Sequence, residues 1–222
     1  MIDLKAWIGQ RVEIEVSGGI RPILGTLIDT GMDILVVRQD KQYVYLPFLH
    51  LQSVKQAPSE AEQSPGAGDP PFEDETENLT YRKVLLNAKG IFAELYVTGR
   101  QPVHGYITSV MNDYFVFHSP MFPALLVPLN HLKYLVPYKA NTTPYSITRD
   151  QFPVQPVTTS LARTFELQLK KLEGRFVVMD LGTNPNRAGL LKKVENMLVE
   201  LVTANQGIVY FHLNHVKTVH LP

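Results

Sequence analysis

The sequence predicts an all-β protein made of three tandem, five-stranded small barrels, each led by a short helix. Three observations predict it. Two glycines and a histidine recur three times in register. Between them lie short apolar runs rich in β-branched and aromatic residues. Breaker residues separate those runs.

The recurrence is clearest near the C-terminus. Gly207-Ile208-Val209-Tyr210-Phe211-His212-Leu213-Asn214-His215-Val216-Lys217-Thr218-Val219 has counterparts in Leu125–Leu135 and Tyr43–Val54. Each reads as an apolar strand, a three-residue corner, a histidine (His50, His131, His215), and apolar residues one and four places later. Upstream, Gly9, Gly90 and Gly174 each precede a strand-like run, and Gly25, Gly105 and Gly189 follow after 16, 15 and 15 residues.

Each glycine has a physical reading. The first ends a short amphipathic segment (Leu4/Trp7/Ile8, Val84/Leu85 or Leu167/Leu169/Leu172), as expected of a helix C-cap. The second sits inside a strand pattern, as in Leu24-Gly25-Thr26-Leu27, where glycine signals a sharp bend or a close backbone approach. Ile34–Val37, Tyr114–Phe117 and Leu198–Val202 then supply further strands. Gln39-Asp40-Lys41, Ser119-Pro120 and Asn205-Gln206-Gly207 supply turns. Five sharply bent strands in under 60 residues predict an SH3-like or Sm-like barrel.

The modules are expected at 1–56, 80–138 and 160–222. The 57–79 linker carries Glu60, Glu62, Asp69, Glu73, Asp74, Glu75 and Glu77 with no lysine or arginine, and is expected to be disordered. The second linker, 139–159, holds Pro144, Pro153 and Pro156, but also Tyr145, Ile147 and Phe152, which are expected to pack partly on a barrel.

Composition narrows the function classes. The 222 residues are 45% hydrophobic and carry zero formal net charge. Setting aside the linker's seven acids leaves 14 against 21 bases, a mildly basic remainder that does not identify a nucleic-acid binder. There is no cysteine, which removes disulfides and thiolate metal sites. The N-terminus lacks a signal-peptide run and no segment approaches a membrane span, so a soluble or peripheral protein made in the cytosol is expected.

Candidate chemistry is sparse. His50, His131 and His215 each occupy their own module with no repeated acidic partner, which favours half-buried structural rings bonded to a corner carbonyl. His212, His215 and His220 are close in sequence, but strand spacing does not make them converge as metal ligands. No nucleophile elbow, metalloprotease helix, P-loop or dinucleotide fingerprint appears. Lys170/Lys171 and Lys192/Lys193 are the candidate basic patch, and Tyr43/Tyr45 and Tyr210/Phe211 the candidate stacking aromatics. No catalytic, cofactor or metal residue is assigned, and the chain is expected not to be an enzyme.

The helix, the bent five-stranded sheet and the one-turn corner resemble the Sm fold. Gly25-Thr26-Leu27 and Asp29-Thr30-Gly31-Met32-Asp33 echo the first Sm motif. Asp33 stands where that family has an RNA-contacting asparagine, and the Arg-Gly pair of its second motif is missing from all three repeats. The run Gly207–Val219, with Gly18-Gly19 and Gly25, is more similar to the spore coat protein B family, whose members carry tandem copies of this unit. That resemblance covers all three modules. It implies a non-catalytic structural component, made in the mother-cell cytoplasm and assembled on the spore coat. Multivalent contacts with coat proteins or with itself would hold it there. The long Ser/Lys-rich tail of the family's best-known members has no counterpart before Pro222. An Sm-like RNA-binding protein is the alternative.

Overall fold

The fold was analysed in a computed structural model that describes residues 4–19, 21–58, 70–72, 79–98, 101–139, 142, 144–147, 151–152 and 160–222. Most of the two linkers therefore lies outside the described residues. The chain is all-β, with two short α-helices among the described residues. Its elements are β1 (Arg11–Val16), β2 (Ile23–Thr30), β3 (Ile34–Gln39), β4 (Gln42–Pro47), β5 (Leu51–Gln56), α1 (Tyr81–Asn87), β6 (Phe92–Tyr96), β7 (Val103–Val110), β8 (Tyr114–His118), β9 (Leu125–Pro128), β10 (Tyr134–Pro137), α2 (Phe165–Lys170), β11 (Phe176–Met179), β12 (Ala188–Glu195), β13 (Leu198–Val202), β14 (Ile208–His212) and β15 (Val219–His220).

Local chemistry explains the helices. Thr80 and Thr164 are N-caps whose hydroxyls accept the N–H of Lys83 and Leu167, at 3.2 and 3.4 Å. Gly90 and Gly174, beyond the helix ends, adopt φ of 73° and 80°, which only glycine does at no steric cost. Ahead of β1 the expected helix is a single 3-10 turn, Leu4–Trp7, and Ile8 is exposed.

Gly25, Gly105 and Gly189 are positions of close backbone approach. A Cβ on any of them would run into the carbonyl oxygen of Arg38, His118 or Val202 on the adjacent strand. Two residues on, the register of each strand slips: between Leu27 and Asp29, Ile107 and Ser109, and Leu191 and Lys193. Such bulges bend and twist a strand.

The chain forms two compact units. The first comprises Met1–His104 and Leu132–Thr148, with strand order β6-β10-β4-β3-β2-β1-β5. Its core gathers Val12, Ile14, Leu27, Leu35, Val37, Val44 and Leu46, with Trp7 and Val54 packed against it. The second comprises Gly105–His131 and Arg149–Pro222, with order β14-β13-β12-β11-β15-β9-β8-β7. Its core gathers Phe165, Leu169, Val177, Met179, Leu191, Val199, Leu201 and Val219, with Tyr114 and Leu126. All the strand pairs recorded in the two units are antiparallel.

The units cut across the expected 80–138 module. β10 pairs with β4, Leu135 opposite Tyr45, and so belongs with the first unit. β9 pairs with β15, Leu126 opposite Val219, and so belongs with the second. Phe72, inside the expected linker, is buried. Its N–H donates to the Tyr45 hydroxyl at 3.1 Å and the rings lie 5.1 Å apart. Phe152 of the second linker stacks on His118 with ring centroids 4.7 Å apart.

Candidate interaction surface

One row on the outer side of the β11–β14 sheet is apolar and open. Phe176 opposes Leu190, Leu190 opposes Val202, and Val202 opposes Ile208, so one row crosses four strands. Phe176, Leu190 and Ile208 are all exposed. In the next row Tyr210 opposes Glu200, whose carboxylate takes Lys192 at 2.8 Å. That contact raises the Lys192 pKa. β14 ends its unit's strand order, so among the described residues its outer backbone edge has no neighbouring strand. Its sequence, Ile-Val-Tyr-Phe-His, has none of the lysines, prolines or bulges that blunt edges.

A second feature recurs within each unit. Asp33 accepts the N–H of Tyr81, the first residue of α1, at 2.7 Å, while Met32 donates its N–H to Leu79 at 2.9 Å. Asp113 accepts the N–H of Phe165, the first residue of α2, at 2.8 Å, while Asn112 donates to Arg163 at 3.1 Å. Each aspartate thus ties a β-turn to a helix start, where a carboxylate also meets the favourable end of the peptide dipoles. The Asp33 and Asp113 carbonyls also accept the N–H of Phe48 and Leu129, and the Met197 carbonyl accepts that of Leu213 in the same way, so methionine stands at the matching place in the loop before β13. Beside Asp113 lies a cleft of about 450 Å³, lined in part by Asn130, Glu166, Met197 and Asn214. Its lining has no histidine, cysteine or serine.

The three recurring histidines do not share one environment. His50 Nδ1 lies 2.7 Å from the Ser17 hydroxyl. His131 Nε2 lies 2.9 Å from the Asn214 carbonyl oxygen, the kind of bond the sequence suggests. His215 is exposed, 5.8 Å ring to ring from His212, and its own carbonyl accepts from Arg187. Its expected half-buried role is therefore corrected: Val216, not the imidazole, fills the core there. His220 lies apart from the pair, with its ring 4.7 Å from Phe122, and burial lowers its pKa. Among the described residues no three His, Asp or Glu are placed to hold a metal.

The candidate basic patch is largely neutralised. Lys170 pairs with Glu166 at 2.8 Å, Lys192 with Glu200 at 2.8 Å, and Lys193 with Glu195 at 2.6 Å. Lys171 caps the Ser160 carbonyl at 3.1 Å. Of the candidate aromatics, Tyr43 and Tyr45 are buried, and Tyr210 is open.

One lock leaves little trace in the sequence. Asp180 and Leu181 both adopt left-handed φ, at 51° and 59°. The buried Asp180 carboxylate accepts the N–H of Lys217 at 2.7 Å and of Thr218 at 3.3 Å, and pairs with Arg187. The Arg187 guanidinium covers the Phe211 ring at 4.7 Å. These contacts reach across as many as 38 residues, and only the turn-like Asp180-Leu181-Gly182 hints at them.

Over 226 aligned positions the chain is 42% identical to "Uncharacterized protein YwrJ" of Bacillus subtilis (strain 168), with all of both sequences covered. It belongs to the YwrJ family. The model of the YwrJ third domain matches residues 164–219. This YwrJ segment contains the apolar row on β11–β14, the Asp180–Arg187 lock and the α2 start held by Asp113.

Proposed function

We propose that this YwrJ-family chain is a non-catalytic assembly component of the spore coat, built from three Sm-like small-barrel repeats that join one another by strand addition. The observation that carries the reading is the strand register. Counting from His50, His131 and His215, Tyr45, Leu126 and Tyr210 are equivalent, and so are Val54, Leu135 and Val219. Tyr45 pairs with Leu135 and Leu126 pairs with Val219. The fourth strand of one repeat thus receives the last strand of the next, twice, at one register.

Other features support it. Gly25, Gly105 and Gly189 meet the same kind of carbonyl, each followed by a bulge. Asp33 and Asp113 hold the next repeat's helix in the same way. The family's third-domain match at 164–219 agrees with a third module at 160–222. The placement on the coat rests on the resemblance of the Gly207–Val219 run to spore coat protein B.

Two measurements test the reading. Sedimentation of the full chain should show self-association. A titration with labelled single-stranded RNA at about 150 mM salt should show no binding tighter than micromolar, because affinity of that kind needs unpaired cations for phosphate. Nanomolar, salt-sensitive RNA binding by a monomer would overturn it.

A further inference from the structure

Tyr210 is 61% exposed, whereas Tyr45 and Leu126, its equivalents, are 1% and 6% exposed. The difference has a cause. β10 lies alongside β4, and β15 lies alongside β9, but among the described residues no strand lies along the edge of β14 that faces away from β13. The remaining strand of the β10 and β15 type is β5. It pairs with β1 on one side and ends its own unit's strand order on the other. The described residues therefore show one vacant acceptor edge and one uncommitted donor strand, of the two kinds the chain already joins twice.

We propose that β14 receives β5 of a second copy of this chain, antiparallel, with Tyr210 opposite Val54. This rests on the assembly reading above and specifies its interface. The occupant is a second copy because both internal junctions already show what such an edge accepts. Val54 stands where Leu135 and Val219 stand. Docking would cover Tyr210 and Ile208, as β10 and β15 accompany the burial of Tyr45 and Leu126. The contact joins unlike surfaces, so each copy keeps one free end, and the assembly grows as a ring or a filament.

The test uses the full chain, which contains no cysteine of its own. Tyr210→Cys and Val54→Cys single variants are mixed under mild oxidation. An intermolecular disulfide is expected between them, since directly opposed strand residues bring Cβ atoms to about 4.5–5.5 Å, within a small adjustment of the roughly 3.5–4.5 Å a disulfide spans. Tyr210→Cys mixed with Gln52→Cys, two residues out of register, should not cross-link. Tyr210→Lys should weaken self-association at least about tenfold, as loss of a central aromatic anchor does. At concentrations where the parent is monomeric its thermal melt should match the parent's, because the side chain is exposed there. If the parent assembles but the 210–54 disulfide fails to form, or the 210–52 pair forms equally well, this interface is wrong while the assembly reading stands. If the parent is monomeric at every concentration, both fail.

Discussion

The carboxylate of Asp113 accepts the backbone N–H of Phe165 at 2.8 Å, across 52 residues of chain. One side-chain oxygen thereby satisfies a donor that the helix cannot satisfy itself. Asp113→Ala should destabilise the fold by about 1–3 kcal/mol, the range for a partly buried, charge-assisted bond. Asp113→Asn should cost less, because it keeps an acceptor and loses only the charge. Urea denaturation of the variants checks both. Asp33→Ala should cost less than Asp113→Ala, since its bond to Tyr81 is exposed.

Gly105 and Gly189 should not tolerate a side chain. A Cβ at either would overlap a neighbouring carbonyl oxygen, on His118 or Val202, and a strand backbone yields little. Gly105→Ala and Gly189→Ala should each cost at least about 1–3 kcal/mol, the usual scale for overpacking. Gly207→Ala is the control, with only a 3.5 Å contact to the Thr203 hydroxyl. Thermal melts of the three variants should separate accordingly.

His215→Ala should be nearly silent, within about 0.5 kcal/mol of the parent, as for an exposed side chain away from special features. His50→Ala removes the partner of the Ser17 hydroxyl and should cost roughly 1 kcal/mol. Equal losses for both would contradict the differing environments described above.

His220 should make the fold acid-sensitive. Burial holds its pKa below the ordinary 6.5, and its Nδ1 has no hydrogen-bond partner among the described residues. In the unfolded chain the ring protonates near its usual value, so the unfolded state binds more protons in the window below 6.5. Stability therefore falls as pH drops through 6.5 toward the lower folded-state pKa. His220→Phe, which keeps a ring against Phe122, should remove that part of the loss. Denaturation midpoints of parent and variant at pH 7.5 and 5.5 decide it: equal acid losses would refute the assignment.

Several features were legible in the residues. Gly90 and Gly174 mark helix ends because a left-handed turn excludes other residues cheaply, and the local sequence reports it. Alternating apolar residues such as Val12, Ile14 and Val16 report a half-buried strand, because side-chain direction has period two. The placing of Gly25 inside a strand foretold a crowded backbone.

The rest depended on which strands meet. Tyr45 and Tyr210 occupy equivalent positions in similar apolar runs, yet one is buried and the other open. No local pattern separates them, because the difference lies in whether another strand is paired alongside. Asp33 and Asp113 look like loop acids until Tyr81 and Phe165 arrive from 48 and 52 residues away. His215 resembles His131 in sequence, but among the described residues it is His131 that finds a carbonyl within bonding distance, 83 residues on. Periodicity and turn chemistry, being local, were determined by the sequence itself. Edge occupancy and long-range hydrogen bonding were decided by tertiary structure, since they depend on partners that no short window of sequence contains.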